Sequence, residues 1–281
     1  MPQSSAASAV FADLHTHTTC SDGTVSPSDL VAAADARGIQ GLAVTDHDTL
    51  AGVAEAQEAA HACGRELIAG IELSATLDED EVHLLAYGID PTHEALLGHL
   101  QWMRDARRRR AWKMIEQLRD HDLAIPETAL EAQVADTSAV GRPHLAAVLV
   151  AEGHVETTRQ AFEQYLGRDG PGFVPKPRVP AAEVLELVHR VGGIGVLAHP
   201  GDGMSSRHVR RLVDVGLDGI EVYHPSHRSS LAGYYQRLAD GYDLIVTGGS
   251  DYHGRTKRDE NHFGTIGLSE AEWERFRAAV A

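Results

Sequence analysis

The chain has 281 residues, 43% of them apolar, enough for one large domain with a full core and too apolar for a disordered or fibrous protein. Its formal net charge is -16 with histidine neutral, which repels a nucleic-acid backbone in bulk and excludes long duplex DNA as a default partner. Cys20 and Cys63 are too few for a disulfide framework, no apolar run approaches the roughly 18 residues of a membrane helix, and "MPQSSAASAV" lacks the basic stretch and apolar core of a leader, so a cytoplasmic protein without a membrane partner is expected.

In chain order, "VFADLH" at 10–15, "GLAVTDH" at 41–47, "LIAGIEL" at 67–73 and "EVHLLAYG" at 81–88 each read as a buried strand. Between them run two helical patterns, one opened by Ser26 and Pro27, the other stopped by Gly64. Residues 91–168 carry helical patterns and no convincing strand, which predicts a helical insertion domain between two parts of a barrel, 1–90 and 169–281. Its charge run "RDARRRR" at 104–110 reads as a solvated helix face or as a basic strip facing substrate. After residue 180 the alternation resumes through "IGVLAHP", "GIEVYHP", a helix near 229–240 and "LIVTGGSDYH". About seven strands alternating with helices predict an α/β fold, a parallel sheet or barrel whose site lies at the C-terminal strand ends.

Histidine is the outlier, with 17 copies against 5 Phe and 3 Trp, and many follow apolar runs. His15 and His17, two apart, would share one face of an extended strand and can grip one ion. Asp22 follows in "CSDG", where an ordinary turn aspartate is the plain alternative. His47 stands between two acids in "TDHD". Glu72 closes "AGIEL", where an acid is costly to bury unless paired or ligating. His83, His199, Asp251 and His253 complete a set of nine, at or near the ends of six expected parallel strands. Imidazole and carboxylate without thiolate suit Zn, Mn or Fe, and nine donors exceed the needs of one ion, so a site for two or three divalent ions is expected.

HxH with a trailing SDG, then TDHD, GIE, a histidine in the next strand, AHP and a terminal SDxH resemble the PHP (polymerase and histidinol phosphatase) family of metal-dependent phosphoesterases. The motifs run from residue 13 to 253 in family order. The resemblance implies a distorted (β/α)7 barrel with a trinuclear cluster. One ion would take His15, His17 and Asp251 with Glu72 bridging; a second Asp22, His47 and His253; the third His83 and His199, sharing Glu72. No ligand position is missing, which speaks against a noncatalytic binding module. "GRPHLA", "PGFVPKPRVPAAEV" and "GIEVYHPSH" resemble the bacterial subgroup acting on small nucleotides, nucleoside 3',5'-bisphosphates or the 5' ends of short RNA.

Phosphate-ester hydrolysis by a hydroxide held between two metals is the expected chemistry, with Asp22, His47, His253 and His227 as catalytic candidates. The expected substrate is a small phosphorylated molecule, a nucleotide first and a sugar or amino-alcohol phosphate second. Arg142, His144 and Lys176 are the phosphate-binding candidates. "GRPH" also admits a different reading, the helical insertion as a protein-docking module, which nothing in the sequence excludes. His224 and His227 could protonate the leaving oxygen, hold a second phosphate or serve the loop alone. Asp13 and Asp46 could orient ligands, although Asp46 would equally suit a helix cap. Cys20, close by, is read as a bystander.

Overall fold

The computed structural model describes residues 10–121, 123, 125–134 and 140–281. Residues 1–9, most of the segment in which no leader was read, lie outside the described residues. The chain forms two compact units, Met1–Leu97 with Val179–Ala281, and Gly98–Arg178.

Seven strands follow one another in a single sheet in chain order: β1 (Ala12–Asp13), β2 (Gly41–Val44), β3 (Glu66–Leu77), β4 (Asp80–Tyr87), β5 (Ile194–Leu197), β6 (Gly219–Tyr223) and β7 (Ile245–Gly248). The helices are α1 (Pro27–Ala36), α2 (Val53–Cys63), α3 (Glu94–Arg119), α4 (Glu127–Val134), α5 (Arg142–Ala151), α6 (Thr158–Ala161), α7 (Ala181–Arg190), α8 (Ser206–Val213), α9 (Ser229–Tyr242), α10 (Lys257–His262) and α11 (Glu270–Ala279), with a π-helical turn at Phe162–Leu166. Among the described residues no helix is long and apolar enough to cross a membrane.

The sheet nearly closes on itself. The Leu14 N–H donates to the Gly248 carbonyl at 3.1 Å, and the His17 N–H to the Tyr252 carbonyl at 2.9 Å. Closure demands a residue without a side chain at 249, since a Cβ there would lie 2.4 Å from the backbone nitrogen of His15. Inside, Leu14, Leu85, Tyr87 and Val196 pack with Trp273 and Phe276 of α11. Against the outer face, α1 and α2 bury Leu30, Val31, Ala56 and Ala60 with Leu42 and Val44 of β2. The local signals read above hold: the Ser26 hydroxyl accepts from the Asp29 N–H to cap α1, and Gly64 ends α2 at φ 70°.

One strand departs from the parallel expectation. β4 runs antiparallel to both neighbours, β3 and β5. Only Asp78 and Glu79 separate β3 from β4, and so short a connection makes a hairpin, because a parallel neighbour needs a crossover of a dozen residues or more. The first strand is also shorter than its apolar run. Beyond Asp13 the chain exchanges irregular bonds with the segment after β2, Thr16 N–H to Thr45 Oγ1 at 3.1 Å and Thr45 N–H to the Thr16 carbonyl at 2.9 Å.

In the second unit, α3, α4 and α5 with the π-helical turn enclose Met114, Ile115, Leu118, Leu145, Leu149 and Leu166. The unit extends past 168 to Arg178, as the irregular segment 169–178 packs back within it. Gly172 sits on Leu118, and the Arg110 Nε donates to the Val174 carbonyl at 2.7 Å. Within the charge run Arg104, Arg108 and Arg109 are exposed, whereas Arg110 is buried.

Candidate functional site

All nine expected metal-ligating residues lie in the barrel unit. His15 and His17 follow β1, Asp22 occupies the next turn, His47 follows β2, His199 follows β5, and Asp251 and His253 follow β7. Glu72 and His83 lie within the hairpin. His83 pairs with Ser74, two residues from Glu72, so Glu72 and His83 share one face diagonally. The reversal of β4 thus brings the start of that strand, rather than its end, to the rim where the other strands finish.

Glu72, 1% exposed, sits at the centre. Its Oε2 faces His47 Nδ1 at 3.0 Å, His17 Nε2 at 3.3 Å and His15 Nε2 at 3.4 Å. Its Oε1 faces His83 Nδ1 at 2.6 Å and His199 Nε2 at 2.9 Å. One carboxylate therefore divides its two oxygens between two groups of histidines. Asp251 Oδ1 joins the first group, 3.3 Å from His15 Nε2 and 3.2 Å from His17 Nε2. A further group forms where Asp22 Oδ1 meets His253 Nε2 at 3.1 Å, His17 Nδ1 at 3.8 Å and His47 Nε2 at 3.9 Å.

The donor set suits divalent ions. His15 Nε2 and His17 Nε2 lie 3.1 Å apart, close enough for both to bind one ion. A tetrahedral ion with bonds of about 2.1 Å holds its donors about 3.4 Å apart, close to the spacings found here. His17 Nδ1 and Asp22 Oδ1 are buried with no hydrogen-bond partner. Each of the nine residues falls in a group of three or four donors whose ligand atoms lie within 4.8 Å of one another. The backbone bends to place two of them, since His199 at φ 26° and Asp251 at φ 51° adopt left-handed conformations that non-glycine residues rarely adopt.

Charges inside the cluster balance one another. Burial acts most strongly on Glu72 and opposes its ionisation, but the surrounding His47, His83 and His15 outweigh it and hold the carboxyl well below its ordinary range. Burial likewise opposes the charged form of His17, and the bonds to Asp251 and Glu72 overcome it, lifting the ring to about 9. Desolvation also opposes the charged form of the half-buried His83, and Glu72 and Glu81 overcome it, lifting the ring to about 10. For His47 burial prevails and its pKa falls to about 4, leaving a neutral ring at neutral pH.

Around this core a second set of groups fixes the candidate residues. The fully buried Glu221 accepts from His15 Nδ1 at 2.9 Å with one oxygen and from the His199 N–H at 2.6 Å with the other. The Asp13 Oδ1 accepts the His15 and Ser250 N–H groups at 3.2 and 3.0 Å. Burial pushes the Asp13 carboxyl up to about 7. Asp46 accepts from the Thr18 N–H at 2.7 Å, the Thr18 hydroxyl at 2.6 Å and the Ser21 hydroxyl at 2.5 Å, so it shapes the loop leading to Asp22 rather than capping α2, whose N-cap is Gly52. Glu221 went unread in the sequence, although an acid inside the apolar run "GIEVY" carries the same signal that marked Glu72.

His224 accepts the Ser226 N–H at its Nδ1, 3.1 Å away, so in the neutral ring the proton sits on Nε2, facing Asp251 Oδ2 at 3.3 Å. His227, expected above as a catalytic residue, has both ring nitrogens engaged by backbone: Nδ1 donates to the Val222 carbonyl at 2.9 Å and Nε2 accepts the Gly201 N–H at 3.2 Å. Those bonds describe the loop-serving alternative.

Arg142, His144 and Lys176 belong to the second unit. The Arg142 guanidinium lies over Phe162 and Phe173, 5.6 and 5.8 Å from the ring centroids, and donates to the Leu166 carbonyl at 3.2 Å. His144 Nδ1 accepts the Gly141 N–H at 3.1 Å and so caps α5. Lys176 is half-buried in the irregular segment near the end of the unit.

Comparison with known proteins gives the family. The PHP domain family matches residues 13–166. A 5'-3' exoribonuclease of Haemophilus influenzae is 36% identical over 86% of this chain and 89% of its own. A 3',5'-nucleoside bisphosphate phosphatase of Chromobacterium violaceum is 33% identical over 89% of this chain and 90% of its own. A crystal structure from Bifidobacterium adolescentis, assigned to the metal-dependent phosphoesterases, superposes with a TM-score of 0.82 at 36% identity, covering 94% of both chains. The chain belongs to the PHP domain family of metal-dependent phosphoesterases, and its seven-stranded unit is the distorted barrel of that family.

Proposed function

We infer that the protein hydrolyses a phosphate ester of a small nucleotide, a nucleoside 3',5'-bisphosphate, a nucleoside monophosphate or the 5' end of a short RNA. The observation that carries this reading is the division of Glu72 between two groups of histidines, with Asp251 and Asp22 completing the donor sets. Relatives named for cleavage of RNA and of nucleoside bisphosphates support the nucleotide class, while another matched over most of its length is named a phosphoribosyl 1,2-cyclic phosphate 1,2-diphosphodiesterase, which keeps a sugar phosphate as the second reading.

His15, His17 and Asp251, then Asp22, His47 and His253, then His83 and His199, with Glu72 shared, are proposed to hold two or three ions. The oxygen and imidazole donors favour Mn, Fe or Zn. Divalent ions in such a site activate water for attack and neutralise charge on the phosphoryl oxygens. The chain's own part is to fix those donors before substrate arrives. Glu221 and Asp13 set the backbone of His199 and His15, and His224 holds the second oxygen of Asp251. Arg142, His144 and Lys176 are carried as proposed phosphate contacts, on the strength of the motif resemblance.

The test is a phosphate-release screen of Mn-loaded protein over nucleoside 3',5'-bisphosphates, AMP, short 5'-phosphorylated RNA and histidinol phosphate. Release from a nucleotide is expected. Release from histidinol phosphate alone would replace the substrate class, and none from the whole panel would remove the activity.

A further inference from the structure

Arg255 lies two residues beyond His253, in "SDYHGRTKRD", on the segment that closes the barrel against the first loop. That junction is dense with backbone bonds. His17 donates its N–H to the Tyr252 carbonyl, and Thr24 donates both its N–H, at 2.9 Å, and its hydroxyl, at 3.0 Å, to the carbonyl of His253. These bonds anchor the backbone on either side of Asp22 and leave its carboxylate to be aimed by something else.

The something else is a guanidinium. The Arg255 Nη2 donates to the backbone carbonyl of Asp22 and lies 3.0 Å from Oδ2 of the same residue. Oδ1, in contrast, is a buried atom without a hydrogen-bond partner, directed at His253, His17 and His47. The two carboxylate oxygens are thus sorted, one to the arginine and one to the histidines. As a stabilising ion pair this contact counts for little, because the Arg255 side chain is 47% exposed. As a geometric device it counts for more: a single guanidinium nitrogen held against both the carbonyl and the carboxylate of one residue restrains that residue's rotamer.

We propose that Arg255 is a positioning residue for Asp22, setting the carboxylate so that Oδ1 alone faces the His17, His47 and His253 group. The proposal rests on the reading that this group holds a divalent ion. A nearby cation also repels that ion, so orientation and charge oppose each other. Orientation prevails, since the guanidinium approaches the oxygen turned away from the histidines.

Binding of Mn to the apoprotein separates the cases, followed by calorimetry and by metal retained after dialysis. Arg255→Ala should melt like the wild type without metal yet bind one class of ion about 10–100-fold more weakly. Arg255→Lys should recover part of that loss, since the ammonium keeps the charge and a donor but not the length and planarity of the guanidinium. Lys257→Ala removes an exposed cation two residues away and should bind as the wild type does. Undiminished affinity in Arg255→Ala, or an equal loss in Lys257→Ala, would overturn the proposal. A wild-type protein that bound no Mn would overturn the metal reading with it, so the two failures are told apart by the wild-type isotherm.

Discussion

The two units bury different things. The helical unit encloses an apolar core of Met114, Ile115, Leu118, Leu145 and Leu149 and, among the described residues, keeps most of its charge outside, Arg110 being buried. The barrel unit encloses Leu14, Leu85 and Val196, then tops that core with Asp13, His15, His17, Asp46, Glu72 and Glu221, each at most 1% exposed. Buried ionisable groups destabilise a fold unless each finds a partner, and here the partners are one another, with buried donors left over for ions. One unit is built for stability; the other gives some of it up to hold a site in place.

That contrast can be broken at graded strength. Glu72→Gln should do most damage, cutting turnover on the order of 10³-fold or more in a phosphate-release assay, because it disturbs both histidine groups at once. Glu221→Gln leaves every proposed ligand in place but weakens the hold on His15 and His199, so metal affinity or turnover should fall about 10–100-fold. Acid should act in the same direction. His17 and His83 are raised to about 9 and about 10 in the metal-free cluster, so below those values ions must displace protons. Mn affinity should therefore rise between pH 7 and 9, by roughly tenfold per unit for each proton displaced, with proton release visible in weak buffer. Leu118→Ala in the helical unit should instead lower stability by about 2–5 kcal/mol in denaturant titrations, leaving Mn affinity unchanged.

Much of this site is legible in the sequence. His15, His47, Glu72 and His199 each stand beside an apolar run, and a polar group at that position has a chemical reason to be there. The seven strands and the caps of α1 and α2 announce themselves by the same local rules. Strand direction does not. "EVHLLAYG" looks alike run either way, and only the two-residue link at Asp78 and Glu79 forces the hairpin that carries His83 to the rim. Glu221 is masked by the histidines that follow it in "YHPSH", whose chemistry is the more conspicuous. The engagement of His227 depends on the Val222 carbonyl and the Gly201 N–H, backbone groups whose positions no residue pattern encodes. Arg255, exposed and outside any periodic pattern, becomes visible only through what it touches.

That the donors gathered around Glu72 are the metal centre of a phosphoesterase is tested most directly by titrating Mn into chelator-stripped protein while following phosphate release from a nucleoside 3',5'-bisphosphate. Activity should be absent at the start and should appear in step with two to three equivalents bound. Equal hydrolysis by the stripped protein, or tight Mn binding unaffected by Glu72→Gln, would contradict it.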